Sequence, residues 1–315
     1  MPEPSSVYPE GSPAISRICV LGASGMLGTA LIEKSLGAGV RVTAFSRTRR
    51  RNSPGVAFWD PQAGQIEKER LEGVDAVLNF AGANIAEGRW TDARKRLLWS
   101  SRVDSTALIA RALTQLERPP VVWVNASGAN YYGTDPNEAM YEESPPGKGF
   151  LAELCQAWEA ATEPAAQAGI RVVRMRYGVV LSPKGGALKK LLRLFRLGLG
   201  GRIGSGEQRM PWITLPDAVG ATHFSMRHPD VSGPVNAVAP EPITNAQFTE
   251  ALARVLGRPA VLPVPAFALK AVFGEMAEET LLGGANVRPR RLEIAGYRFE
   301  HPRIDDAFEA LLKHP

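Results

Sequence analysis

The sequence predicts an α/β fold: a doubly wound parallel sheet carrying a smaller, discontinuous C-terminal lobe. Three observations predict it. Short apolar runs alternate with helical periodicity over the first half of the 315-residue chain, which is the rhythm of βαβ units. A glycine-rich turn joins the first apolar run to the first helical stretch. After Val180 the texture shifts to Gly, Pro and basic residues, and beyond Pro240 to shorter, Pro-richer elements.

The elements follow in order. Met1 to Ser16 is rich in Pro, Ser and Gly and lacks the basic start and apolar stretch of a signal peptide, so 1–16 reads as a flexible tail. Arg17 to Leu21 (RICVL) is a buried strand and Met26 to Leu36 a helix, ended by Gly37 to Gly39. Val40 to Phe45 and Ala76 to Phe80 (AVLNF) are strands. Ala93 to Leu116 reads as one long helix, stopped by Pro119 and Pro120 before the strand Val121 to Asn125. Phe150 to Ala168 is helical and Ile170 to Met175 is a strand. Asp217 to Met226 is a short helix and Pro234 to Val238 a strand. Leu188, Leu191, Leu192 and Phe195 recur at helical spacing with Lys189, Lys190, Arg193 and Arg196 between them. That pattern suits an amphipathic helix on a membrane surface or a lid helix whose apolar stripe faces the core. The lid is preferred, because Gly198, Gly200, Gly201, Gly204 and Gly206 follow and can hinge it.

Composition narrows the function classes. Hydrophobic residues at 44% and charged residues at 22% suit a globular enzyme. A net charge of +5 is too mild to imply nucleic acid but suits a phosphate-bearing ligand. Two cysteines, Cys19 and Cys155, make no disulfide framework, which favours a reducing, cytoplasmic setting. The four histidines show no metal-ligand spacing, so no metal is expected. No apolar run is long enough to span a bilayer, and no membrane partner is expected.

The chemistry sits first in Gly22-Ala23-Ser24-Gly25-Met26-Leu27-Gly28, a GxxGxxG turn between strand and helix. Gly22 permits the tight turn, Gly25 lets the backbone approach a pyrophosphate, and Gly28 lets the helix pack on the strand. The amides and dipole of the helix N-terminus then face the phosphates. The second strand ends in Ser46 and Arg47, followed by Arg49, Arg50 and Arg51. A carboxylate there would hold the ribose 2′-hydroxyl of NAD, whereas a hydroxyl with guanidinium groups suits a 2′-phosphate, so NADP(H) is expected rather than NAD. Asp60 is either an acceptor for the adenine amino group or part of a surface turn. Phe80, Ala81, Gly82 and Ala83 follow a core strand with small residues, which lets the dinucleotide lie across the strand ends. Residues 17–178, with about 217–238, therefore read as a Rossmann-type dinucleotide-binding domain. Residues 179–216 and 239–315 read as the substrate lobe.

Together these motifs resemble the short-chain dehydrogenase/reductase superfamily and its extended, epimerase-like members. Pro211-Trp212-Ile213 with Asp217 is similar to that superfamily's segment after the substrate loop. An atypical epimerase-family, nucleoside-diphosphate-sugar-epimerase-like branch is similar in more places. These are Ser101-Arg102-Val103, Ser127-Gly128 with Tyr131-Tyr132-Gly133, Trp158-Glu159, Arg196 to Gly201 with Gly204-Ser205-Gly206, and Asn236 to Pro240. Pro263-Val264-Pro265 and Leu281 to Gly284 match that branch's C-terminal domain of undefined role. The resemblance implies an NADP-dependent oxidoreductase or epimerase acting on a small polar substrate of sugar-nucleotide type, and a homodimer. It implies catalysis by a Tyr and a Lys four positions apart on one helix. Leu151 and Cys155 stand at those positions here, so the usual relay is absent. An NADPH-binding sensor or regulatory protein with little turnover is the alternative. Ser127 falls where the superfamily's catalytic Ser or Thr sits, and Tyr131 and Tyr132 either act as acid or base or pack the cleft wall. Cys155 is a nucleophile or plain packing. Arg176 and Tyr177 fall where the superfamily places residues beside the nicotinamide.

Overall fold

The computed structural model describes Pro9 and residues 12–49, 55–134 and 138–313. Eight strands form the central sheet: β1 Arg17–Leu21, β2 Arg41–Ser46, β3 Val56–Asp60, β4 Gln65–Ile66, β5 Ala76–Asn79, β6 Val122–Gly128, β7 Arg171–Tyr177 and β8 Gly233–Ala237. Their order is β8-β7-β6-β5-β1-β2-β3-β4. All neighbours are parallel except the β3/β4 hairpin. The chain winds outward in one direction from β1 and in the other from β5. That reversal opens a crevice at the carboxyl ends of β1 and β5, where doubly wound sheets bind ligands.

The described residues also form three two-stranded sheets and eleven α-helices: α1 Met26–Gly37, α2 Asp92–Ser100, α3 Val103–Leu113, α4 Phe150–Ala160, α5 Glu163–Gln167, α6 Gly186–Arg196, α7 Leu215–Arg227, α8 Asn245–Leu256, α9 Ala266–Phe273, α10 Arg290–Ile294 and α11 Ile304–Lys313. Alternation along β1 shows why both faces of the sheet are covered. Ile18 and Val20 point into a core shared with Ala218, Ala221 and Phe224 of α7. Cys19 and Leu21 point into the opposite core with Ile109 and Leu113 of α3. Each such aliphatic side chain taken fully from water contributes about 1.5–3 kcal/mol before the entropy of ordering it is set against it. The packed chain begins before the expected boundary, because Ile15 is buried. Ser16 donates from its backbone N–H and hydroxyl to Asp75.

Three expectations change. The single helix over 93–116 is two, α2 and α3, broken at Ser101–Arg102. Ser101 Oγ accepts from the Ala83 N–H at 3.0 Å, and the Arg102 guanidinium donates to the carbonyls of Ala83 and Leu98. Those bonds hold the chain at the loop after β5 and interrupt the helix axis. The helix over 150–168 also splits, into α4 and α5, because Pro164 in the first turn of α5 has no N–H to continue α4. The glycines after α6 are not a free hinge. A Cβ on Gly201 would run into the Leu262 carbonyl, and residues 202–204 pair with Val264.

The C-terminal lobe has its own core, in which Leu188, Leu192 and Phe195 of α6 meet Trp212, Ile243, Phe248 and Phe308. The apolar stripe of α6 faces inward, as the lid reading expects. Asp217 clasps the lobe to the sheet. Fully buried at the start of α7, it accepts from the N–H groups of Glu300 and His301 and from the Thr214 hydroxyl. No described helix is long and apolar enough to cross a membrane.

Candidate functional site

The turn after β1 is built by close approach. Gly22 has φ +76°, and a Cβ there would lie 2.5 Å from the Phe80 carbonyl carbon and 2.7 Å from the Ala81 nitrogen. A Cβ on Gly28 would run into the Gly22 carbonyl oxygen. The loops after β1 and β5 thus touch backbone to backbone, with α1 seated on the first. Gly25 is the N-cap of α1, no side chain caps the helix, and its first turn holds no acidic residue. Ala23, Met26 and Leu27 are half-buried while Ser24 and Gly25 face solvent. Such an uncapped helix start, with its amides and positive dipole end turned outward, is suited to a phosphate.

Asn79 pins the other side of the crevice. Fully buried at the end of β5, it accepts from the Ala81 N–H at 3.1 Å and donates to Asn125 at 2.7 Å and Thr106 at 3.3 Å. Phe80 then leans against Tyr177, ring centroids 6.4 Å apart, at the end of β7. Tyr177 shares a hydrogen bond with Thr222 at 2.6 Å, and burial pushes its phenol well above the ordinary range. Gly82 lies against the Arg102 guanidinium, and Ala83 receives the Ser101 and Arg102 bonds that break α2 from α3. Burial lowers the pKa of Arg102 to about 10, and its guanidinium lies over Trp158.

At the end of β2, Ser46 Oγ accepts the Thr48 N–H at 3.1 Å, which turns the chain and leaves Arg47 exposed. Arg49 lays its guanidinium over Phe58, 4.1 Å from the ring centroid. Arg50 and Arg51 lie outside the described residues. Asp60 opens a turn, its Oδ1 accepting from the N–H groups of Gln62 and Ala63.

The residues expected to do proton chemistry are mostly committed elsewhere. Glu159 of α4 and Arg176 of β7 form a buried bidentate ion pair, each contact 2.8 Å. Ser127 Oγ donates to Glu159 at 2.7 Å. Arg176 also donates to the Tyr132 hydroxyl at 2.8 Å, and Tyr132 donates to Asn236 at 2.7 Å. Arg176 thus spends its hydrogen bonds on Glu159, Tyr132 and the Glu142 carbonyl. Burial alone would pull its pKa down, but the bonds and charge of Glu159 outweigh that and hold it firmly charged. Ser127 at 5% exposure and Tyr132 at 2% are both buried, and both are bonded into this network. Tyr131 is different. Its ring lies under the Arg176 guanidinium, 3.4 Å from the centroid, and remains half-buried.

Burial pushes the Tyr132 phenol from its ordinary 10.0 to about 12, against the opposing pull of Arg176. Its folded value lies above its unfolded one, so its contribution to stability is complete below pH 10 and lost between about 10 and 12. Chemical denaturation from pH 8 to 11 is expected to show stability falling above about pH 10, less steeply in Tyr132→Phe.

Leu151 and Cys155 are buried at 3% and 5% exposure where the Tyr and Lys of the resembling superfamily would stand. Burial raises the Cys155 thiol to about 11, and Glu159 adds to the rise, so the side chain packs rather than attacks. Cys19 likewise rises to about 12 through burial. The start of α4 is capped from the far end of the chain. Glu279 accepts from the N–H groups of Phe150 at 2.8 Å and Leu151 at 2.7 Å. Sequence reasoning missed Asn79, Glu159 and Glu279 as organisers of the site. Lone polar residues in the apolar run AVLNF and on the apolar face of α4 were signals for the first two, while nothing local marks Glu279.

Comparison with known proteins agrees with this architecture. The NAD dependent epimerase/dehydratase family matches residues 18–238, and a domain of unknown function, DUF1731, matches residues 264–311. Epimerase family protein Mb2239 of Mycobacterium bovis is 43% identical over 290 residues, 92% of this chain and 95% of that protein. Epimerase family protein SDR39U1 of Homo sapiens is 37% identical over 299 residues, 94% of this chain and 99% of that protein. The crystal structure of the human SDR39U1 protein (isoform 2) with NADPH superposes with a TM-score of 0.87 at 36% identity, covering 95% of this chain and all of that one. A two-faced parallel sheet, a glycine turn at its switch point and these matches lead to one assignment: the chain belongs to the NAD dependent epimerase/dehydratase family, with a C-terminal DUF1731 domain.

Proposed function

We propose that the chain binds NADP(H) across the carboxyl ends of β1, β2 and β5 and serves as an NADP-dependent oxidoreductase or epimerase on a small polar substrate. The observation that carries this reading is the pairing of an uncapped α1 N-terminus with a β2 end that bears Arg47 and no carboxylate. The contact of the two loops supports this reading, because backbone meets backbone at Gly22 and Phe80 with no side chain between them. Gly22 to Gly28 would hold the pyrophosphate, Ser46 and Arg47 the ribose phosphate, and Phe80 to Ala83 with Tyr177 the nicotinamide end. When bound, such a coenzyme supplies or accepts hydride. The crystal structure of the human relative with NADPH supports this choice of coenzyme.

Titration calorimetry with NADPH and NADH tests the reading. Arg47→Ala is expected to weaken NADPH about 10- to 100-fold, the range for losing a charged hydrogen bond, and to leave NADH unchanged. Equal binding of both coenzymes, or no effect of the variant, refutes it. Tyr131 is the phenol left to move a proton, since Ser127 and Tyr132 are spoken for. A second reading, an NADPH-binding regulatory protein with little turnover, is favoured by one observation: Leu151 and Cys155 replace the Tyr and Lys. Steady turnover on a carbonyl and alcohol panel that collapses in Tyr131→Phe excludes it.

A further inference from the structure

The C-terminal lobe presents an apolar face that the sheet and its coenzyme crevice do not use. Two segments build it. The chain leaving α6 folds back so that the Leu199 N–H bonds the Leu194 carbonyl, and residues 201–204 then run beside 262–266. Along this seam project Leu194 (48% exposed), Leu197 (73%), Leu199 (55%), Val261 (78%), Leu262 (56%) and Phe267 (77%). Helix α9, AFALKAVF, buries none of its residues even though nearly all are apolar. A contiguous exposed patch of this kind marks a docking surface.

Charge says what docks there. Residues 183–206 and 257–274 contain no Asp or Glu. Exposed Lys190, Arg193, Arg196, Arg202 and Arg258 flank the apolar side chains in those segments. A two-fold contact between copies would bring these basic residues against one another. The apolar side chains also project outward rather than line a groove, so they do not form a slot for a peptide. Projecting aliphatic and aromatic side chains with exposed basic residues interspersed along the same segments fit an anionic bilayer surface. We propose that this face docks on an anionic lipid bilayer. Leu197, Leu199, Val261 and Phe267 enter the headgroup–acyl boundary, and the arginines and lysine meet the lipid phosphates. The sequence offered α6 as either a membrane-surface helix or an inward-packed one, and expected no membrane partner. In the structure α6 packs inward through Leu188, Leu192 and Phe195, while Leu194 and the turn after the helix carry the outward face.

Flotation of the full chain with vesicles tests the proposal. With phosphatidylcholine–phosphatidylglycerol vesicles the recovered protein is expected to exceed that with phosphatidylcholine alone by at least about tenfold, and to fall as salt rises. The double variant Leu197→Glu/Phe267→Glu is expected to lose at least about tenfold of that recovery at an unchanged melting temperature, since both residues are exposed. Arg193→Glu/Arg196→Glu is expected to lose it through charge alone. The proposal fails if the unaltered chain does not float with anionic vesicles or if both double variants float like it. It also fails if light scattering shows a dimer that Leu197→Glu/Phe267→Glu abolishes while vesicles recover nothing.

Discussion

Arg176→Met is expected to lower the unfolding free energy by about 3–5 kcal/mol, the cost of leaving one member of a buried ion pair alone. The side chain is 3% exposed and bonds both oxygens of Glu159. Its loss leaves the Glu159 carboxylate with the Ser127 hydroxyl, removes a donor from Tyr132, and strips Tyr131 of the cation under which it lies. A methionine fills much of the volume but supplies no charge. Urea denaturation at pH 7 measures the loss. The double variant Arg176→Met/Glu159→Leu is expected to recover a large part of it, because replacing both charges removes the uncompensated one. Ser127→Ala, which takes one neutral donor from the same carboxylate, is expected to cost only about 1–2 kcal/mol. A loss below about 1 kcal/mol in Arg176→Met would mean that water reaches Glu159 and that the network is not the brace described above.

Gly22→Ala is expected to abolish NADPH binding, by at least about 100-fold in Kd, and to destabilise the fold at the same time. A left-handed backbone costs an L side chain about 1–2 kcal/mol. The new methyl would also stand 2.5 Å from the Phe80 carbonyl carbon. Relief requires the β1 and β5 loops to part, and Asn79 holds the second in place through Ala81, Asn125 and Thr106. Gly25→Ala separates the two effects. Gly25 has an ordinary φ of −75°, and its Cβ would meet only the Gly22 carbonyl oxygen at 3.3 Å. Its fold is expected to survive while coenzyme binding falls, because the methyl takes the space a pyrophosphate needs. Thermal melts with and without NADPH, alongside calorimetry, distinguish the pair. A Gly25→Ala variant that bound NADPH normally would remove the phosphate from this turn.

These residues also show what the sequence could carry. The parallel sheet was legible because its strands are continuous apolar runs, and the glycine turn because spacing and context coincide in Gly22 to Gly28. Helix boundaries were less so. The break between α2 and α3 depends on Ser101 and Arg102 reaching the Ala83 backbone, contacts that span the loop after β5 and leave no periodic trace. Arg176 was singled out as a special residue, but its pairing with Glu159 was not legible. An arginine in an apolar strand must be compensated, but only the fold reveals whether a ligand or Glu159 does it. Tyr131 and Tyr132 are adjacent in sequence and opposite in circumstance, and no local pattern distinguishes the phenol locked onto Asn236 from the one left half-buried.

The cap that Glu279 supplies to α4, and the N–H groups that Glu300 and His301 donate to Asp217, have a consequence for the chain's autonomy. Residues 264–311 do not form an appendage that could be trimmed away. They act as a buckle, and the helix starts they fasten, at Phe150 and at Asp217, belong to the sheet's own layers. A cut in the exposed stretch around Val261 would therefore release no free lobe. The two fragments would stay joined, and separating them would undo the nucleotide-binding half as well.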